Sequence, residues 1–465
     1  MTTTFLLMPI IFILGILAIA FEDKIGVNKS VTALIMCLSM WTILLLDHSI
    51  GLGSPEFVQY MTHHAELSDT SPLNQVQHFM SDKLQNHLGD VSGTLFFILS
   101  SMLLVYVVDH YGGFKAITNT LATVDKRKLL WRVAIASFFF SALLDNLAAA
   151  IVIIAILQKL VPNRTDRLKY ACMCIIACNA GGSWSPIGDV TTLLLWTNGR
   201  ITPLHQVMHV FLPAFVNLMV PLSIAHFWLF KKGAKLREPS VCDHDKFENI
   251  VKDRDRKVIF WIGMLALLMI PVWQSLFELP AFMGALGGVA FIWFYTEIMF
   301  RKQNKLLKHS YDMRVDKLMH HTDLATIFYF LGILMAVAAL ETGGQLAIAS
   351  DAVSIAIPDK SLLALSIGGM SSILDNVALV AAVMGMFHVD VNAMSPFVMD
   401  GSFWTFLAYC AVTGGSLLII GSATGVTVMG MEKISFGYYL KRFSILALLG
   451  YLAGAGSFYL LEMLY

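Results

Sequence analysis

Apolar runs long enough to cross a bilayer recur along nearly the whole chain, separated by shorter polar stretches, and this pattern predicts a polytopic all-α membrane protein. Spanning helices are expected near residues 5–21, 31–46, 93–108, 170–196, 207–230, 258–275, 281–299, 323–341, 403–430 and 443–463. The first run has no Lys or Arg before it and no convincing small-residue cleavage site after it, so it reads as a retained span rather than a signal peptide. Segment 47–92, rich in His, Asp and Gln, reads as a long polar loop, and 342–360 and 387–402 read as shorter ones.

Two more apolar segments, 133–157 and 361–386, each hold an acid and an amide in mid-run. The first contains Ser141-Ala142-Leu143-Leu144-Asp145-Asn146, the second Ser371-Ser372-Ile373-Leu374-Asp375-Asn376. An ionisable group at membrane depth is costly unless it faces a partner or a polar cavity, so Asp145 and Asp375 are candidate functional residues. Flanking charge sets the path of the chain. Lys126, Arg127, Lys128 and Arg132 precede the first segment and Lys159, Arg164, Arg167 and Lys169 follow it, which favours the cytoplasm on both sides. A re-entrant hairpin turning at Asp145-Asn146 meets that demand, each arm of about 13 residues reaching roughly 20 Å. The second segment is flanked by acidic stretches with only Lys360, which predicts a hairpin entering from the periplasm. The basic segments 231–257, 300–321 and 431–442 then lie inside, and both termini lie in the periplasm.

The chain also repeats itself. Thr94-Leu95-Phe96-Phe97 with Gly112-Gly113 is echoed by Thr326-Ile327-Phe328-Tyr329 with Gly343-Gly344, and the two Asp-Asn pairs follow. Next come Gly181-Gly182-Ser183 with Ile187-Gly188-Asp189-Val190-Thr191, against Gly414-Gly415-Ser416 with Ile420-Gly421-Ser422-Ala423-Thr424. Matched positions lie within three residues of a 230-residue offset. The predicted organisation is a first inverted-topology repeat over 1–230, a basic cytoplasmic linker over 231–257 and a second repeat over 258–465. Each repeat would hold five spanning helices and one hairpin, with broken helices at the midplane, where such folds bind substrate.

The third motif contains three glycines and Pro186 at the centre of a span, so the helix must break there. Freed backbone groups are tolerated at membrane depth only where they meet protein or line a cavity. Asn179, Ser183, Asp189, Thr191 and Thr192 add side-chain oxygens beside the first break, and Ser416, Ser422 and Thr424 beside the second. Carboxylate, amide, hydroxyl and carbonyl oxygens suit a hard cation. An aspartate removed from water holds its proton more tightly while a bound cation loosens it, so proton and cation compete for one oxygen. Exchange follows if the site changes sides only when occupied by one or the other.

Composition narrows the alternatives. Hydrophobic residues make up 57% of the chain and charged ones 14%, and the zero formal net charge gives no electrostatic case for nucleic acid. Cys172, Cys174 and Cys178 share one apolar run at a spacing that fits neither zinc nor a disulfide framework, which points to packing. Enzyme motifs are lacking: there is no His-Glu metal motif and no nucleotide loop.

The run Ser141–Ala150, the stretch Asn179–Thr192 and their repeats resemble the NhaD-type sodium/proton antiporters, part of an ion transporter superfamily that includes arsenite, citrate and dicarboxylate carriers. The resemblance implies a multi-pass carrier of the bacterial inner membrane that expels Na⁺, and usually Li⁺, against entering H⁺. It carries over onto Ser141, Asp145, Asn146, Asn179, Asp189, Thr191, Thr192, Ser371, Asp375, Asn376 and Ser416. No cofactor is implied, the ions being cargo; the expected partners are membrane lipid and the transported ions, and a homo-oligomer is compatible. The competing readings are an anion carrier of the same superfamily and a channel or membrane enzyme. Elsewhere, His63, His64, His78, His87, His309, His320 and His321 read as loop residues, His110 and Glu341 as helix ends, and Glu297 as a residue that snorkels from its span or pairs with Arg301 four residues on.

Overall fold

The computed structural model describes residues 3–20, 22–47, 57, 60–62, 64, 71–113, 120–231, 233–236, 252–277, 279–302, 314–319, 322–374, 376–392 and 395–463. Asp375, His63, His309, His320 and His321 lie outside them. Every regular element among the described residues is a helix: α1 Thr3–Ala20, α2 Glu22–Ile25, α3 Lys29–Leu46, α4 Pro72–His110, α5 Lys126–Leu144, α6 Asn146–Leu160, α7 Arg164–Ser183, α8 Val190–Thr197, α9 Pro203–Trp228 and α10 Asp253–Phe277. The chain continues through α11 Ala281–Lys302, α12 Val315–Leu318, α13 Leu324–Thr342, α14 Gln345–Ala356, α15 Lys360–Met370, α16 Asn376–Met386, α17 Ser402–Gly414, α18 Ala423–Glu432, α19 Phe436–Arg442 and α20 Ser444–Glu462. Seven of the described helices, α3, α4, α9, α10, α11, α13 and α20, are long and apolar enough to cross a membrane. This is a polytopic helical membrane protein.

The chain forms two compact units, and each draws on both halves of the sequence. One comprises residues 1–95, 323–360 and 377–389. Its centre is the packing of α3 against α13. Ser30 Oγ donates to the Ala325 carbonyl at 2.6 Å and Trp41 Nε1 to the Met335 carbonyl at 2.8 Å. The helices meet closely because Gly332 has no side chain to hold off the Ala33 backbone.

The other unit comprises residues 96–322, 361–376 and 390–465. Its core is formed by α7 and α17, which are buried on all sides: every residue from Tyr170 to Ser183 and from Phe403 to Gly414. A helix apolar all round is a helix with neighbours all round. Around α7 lie α5, α6, α9, α17 and α18, and α9 packs along α20. Asp125 caps α5 by accepting from Arg127 N and Lys128 N, at 2.8 and 2.9 Å. Those N–H groups, Lys128 first, hold its carboxyl below the usual range. Near the same end Lys126 Nζ pairs with Asp166 at 2.6 Å and Arg127 Nε donates to the Phe230 carbonyl at 2.9 Å.

Several expectations change. The stretch 47–92 is not one long loop: α4 begins at Pro72 and carries His78 and His87. Val76, Phe79 and Met80 are buried on one face of that turn, so helical spacing of a few apolar residues outweighs the polar composition. Segment 342–360 likewise folds into α14, restarting after Gly344 at φ 77. Glu297 pairs with Arg314, Nη2 to Oε1 at 2.7 Å, rather than with Arg301. The fork of an arginine from beyond the helix reaches a carboxylate more directly than a residue on the same helix face.

Candidate functional site

The helix breaks at Asp145 and in both Gly-rich stretches fall where the sequence places them. α5 ends at Leu144 and α6 starts at Asn146, with Asp145 between them at φ 74, ψ 153. Positive φ is costly for a residue with a Cβ, and such strain recurs where a side chain is held for function. It turns the Asp145 carboxylate back to accept from Leu147 N at 2.7 Å, capping α6, while the residue stays partly exposed. In the second acid-bearing segment α15 ends at Met370 and the chain turns through 371–374.

Each acid-bearing segment is fastened to its broken helix by the same two contacts. Ser141 Oγ donates to the Cys178 carbonyl at 2.5 Å and Ser371 Oγ to the Ala411 carbonyl at 2.7 Å. A Cβ on Gly181 would strike the Phe138 carbonyl, and one on Gly414 the Gly368 carbonyl. These serines therefore secure the scaffold. Thr192 does so too, its hydroxyl donating to the carbonyls of Ser185 and Asp189, both at 2.8 Å.

Of the remaining candidates, Asn146, Asn376 and Thr191 meet at Asp189, and Asn179 extends the network to Ser416 and Ser422. Asp189 is 3% exposed and caps α8, Oδ1 accepting from Thr191 N at 2.7 Å. Asn146 Nδ2 donates to Asp189 Oδ2. Asn376 Nδ2 donates to Asp189 Oδ1 at 3.2 Å and Oδ2 at 3.3 Å. The amides of the two Asp-Asn pairs thus meet on one carboxylate. Asn146 Nδ2 also donates to Asn179 Oδ1 at 3.3 Å, and Asn179 Nδ2 donates to Ser416 Oγ at 2.9 Å and Ser422 Oγ at 3.0 Å. Ser422 caps α18 as Asp189 caps α8. One repeat supplies an acid at this cap and the other a hydroxyl, so the centre is asymmetric.

Two hydroxyls stand out. Thr191 Oγ1 and Thr424 Oγ1, at matched positions in the first turns of α8 and α18, are fully buried and have no hydrogen-bond partner among the described residues. Leaving a buried hydroxyl unpaired costs about 1–3 kcal/mol, a cost that a bound ion would offset. Carboxylate, amide and hydroxyl oxygens of this kind suit a hard cation. Sequence reasoning missed Gln206 of α9, fully buried, whose Nε2 donates to the Ser183 carbonyl at 2.9 Å and satisfies a backbone group freed by the break. It lies one residue before the span expected at 207–230, with His205 and His209 beside it, so no polar residue inside an apolar run marked it.

The family model described as citrate transporter, CitMHS, matches residues 10–399. The chain is 36% identical to Sodium/proton antiporter 1 of Arabidopsis thaliana over 97% of its length and 71% of that protein's. It is 33% identical to Sodium/proton antiporter 2 of the same plant, over 96% of this chain and 97% of the relative. The Na(+)/H(+) antiporter NhaD of Alkalimonas amylolytica is 25% identical across 92% of this chain and 84% of its own. Among solved structures, the Alcanivorax borkumensis YdaH transporter shares the fold, with a TM-score of 0.54 at 12% identity, covering 93% of this chain and 98% of that one. By sequence, then, the chain belongs to the CitMHS transporter family and, within it, to the secondary transporters of the NhaD sodium/proton antiporter type.

Proposed function

We propose that this protein exchanges Na⁺, and Li⁺, for H⁺ across the bacterial inner membrane by alternating access. The observation that carries the reading is Asp189, a buried carboxylate held by Asn146 and Asn376 from the two Asp-Asn pairs. Asp145 supplies a second carboxyl one residue from Asn146, and Asp375 would supply a third from the other hairpin. With Na⁺ bound, amide and threonine oxygens complete its shell; with a proton bound, the same carboxyl is neutral and the site can cross without the ion. Either occupant removes the uncompensated charge that would otherwise be expensive to move through lipid. In this reading the two repeats have opposite orientation and the termini lie in the periplasm. Its support is that segments assigned to one side of the membrane meet: 164–167 with 432–433, and 200–202 with 400.

The description of the family model favours one rival, a citrate or other anion carrier. A fixed carboxylate at about 4 Å repels a unit anion by about 4 kcal/mol at an effective dielectric of 20, roughly a thousandfold in affinity. The purified protein in liposomes, offered Na⁺, Li⁺, K⁺, citrate and arsenite, separates the two. We expect Na⁺- and Li⁺-driven proton movement and no citrate uptake. In everted vesicles Asp145→Asn, Asp189→Asn and Asp375→Asn should each abolish exchange while the protein still inserts; normal exchange in Asp189→Asn removes the central carboxylate from the mechanism.

A further inference from the structure

The two short helices that present Asp189 and Ser422 are tied down at their far ends by residues of the opposite half of the chain. At the end of α18 the Glu432 carboxylate, 2% exposed, receives Arg167 Nε at 2.9 and 2.8 Å and Gln158 Nε2 at 2.9 Å. Arg164 Nη2 donates to the Glu432 and Lys433 carbonyls at 3.3 and 3.1 Å, where Lys433 ends the helix at φ 50. Past the end of α8, Asp400 N donates to the Arg200 carbonyl at 2.9 Å. The Asp400 carboxylate accepts from Thr202 N at 2.6 Å and Thr202 Oγ1 at 2.8 Å.

These contacts answer one another under the offset that relates the breaks. The 233 residues separating Gly181 from Gly414 also separate Arg167 from Asp400, and Arg200 from Lys433. Arg167, near the start of α7, grips the end of α18; Asp400, two residues before α17, holds Arg200 and Thr202 in the turn that follows α8, where Arg200 N donates to the Leu195 carbonyl at 2.8 Å. The packing has the same exchange, α18 lying on α6 and α7, and α8 on α17. Asp400 is held at φ 63, a conformation a non-glycine residue adopts only when its surroundings require it.

We propose that Arg167–Glu432 and Asp400–Thr202 are a matched pair of crossed clamps that position the ion site. α8 has 8 residues and α18 has 10, so each is a short rigid lever with a capping residue of the site at its near end and a clamp at its far end or in the turn just beyond it. Slackening a clamp shifts Asp189 or Ser422 relative to Asn146 and Asn179. None of the clamp residues touches the ion; they are positioning residues, and their assignment rests on the exchange reading above.

Glu432→Gln, Arg167→Gln and Asp400→Asn, in full-length protein reconstituted in liposomes, should raise the apparent KM for Na⁺ by about 10- to 100-fold, the usual loss when a ligand's support is removed. The maximal rate should change far less. Exchanging the charges, Arg167→Glu with Glu432→Arg, should recover part of the lost affinity. Asp400→Asn, nearly isosteric, keeps the test open if the charged pair proves necessary for insertion. A second readout does not need transport: slackened clamps should speed maleimide labelling of the buried Cys172, Cys174 and Cys178, mapped by mass spectrometry. Absence of exchange in the unaltered protein overturns the functional reading and leaves the labelling to judge the clamps. Inserted variants with unchanged KM and unchanged labelling overturn the proposal.

Discussion

Asn146 and Asn376 lie in the most legible part of the chain, since an Asp-Asn pair inside an apolar run stands out twice at one offset. The sequence could not indicate which neighbouring carboxylate they would hold. Backbone conformation decides that: at φ 74 the Asp145 side chain caps its own helix, and both amides turn to Asp189. Replacing Asn146 or Asn376 by Ala removes a donor from that carboxylate and, in the proposed site, an oxygen from the ion, so each should raise the Na⁺ KM by about 10- to 100-fold. Sodium titration of proton release in everted vesicles reads this directly, and an unchanged KM would remove the amides from the site. Gly181 makes a separate prediction about stability. Its missing Cβ makes room for the Phe138 carbonyl, whereas a Cβ on Gly430 would meet nothing within 4 Å. Gly181→Ala should therefore cost about 1–3 kcal/mol, seen as a lower melting temperature in detergent, and Gly430→Ala should leave it nearly unchanged.

Helices whose apolar run fills a bilayer were readable from hydropathy, because burial in lipid demands that composition. α4 was not, since its first turns are polar and only Val76, Phe79 and Met80 mark the buried face. The ties at Arg167–Glu432 and Glu297–Arg314 were equally invisible. The first joins residues 265 apart in sequence, and the second depends on where the chain returns after α11. The hairpin of α5 and α6 rests on local signals instead: basic flanks, a polar tip and a break. These two helices pack on one another and part at Asp145. Lys128 and Lys159, both exposed, lie near its two outer ends. Cysteines introduced there, in a background without other reactive thiols, should react with an impermeant maleimide from the same side of the membrane. Labelling from opposite sides would make the segment a through-going span.

At the scale of the whole molecule, Asn146 and Asn376 meet on the Asp189 carboxylate while Asn179 joins the two broken helices beside it, and the exchange proposed there fixes how transport should respond to pH. Sodium ion and proton occupy the same oxygens in the proposed exchange, so each lowers the apparent affinity of the other by the same factor. Lowering the pH increases the protonated fraction of the free site. Once that fraction dominates, each further unit of acid should raise the apparent Na⁺ KM by about tenfold, since tenfold more protons compete. Raising the pH should bring KM down to a plateau set by the ion's own affinity. The maximal rate, measured on the loading side at saturating Na⁺, should stay nearly constant across this range, because saturation displaces the proton. Two carboxyls titrating together would steepen the acid limb beyond tenfold per unit, and a separate pH sensor would alter the maximal rate while leaving KM flat. Initial rates over a grid of pH and Na⁺ concentration distinguish these cases. A KM independent of pH would mean that proton and ion do not share a site, and the buried Asp189 would then need a different role.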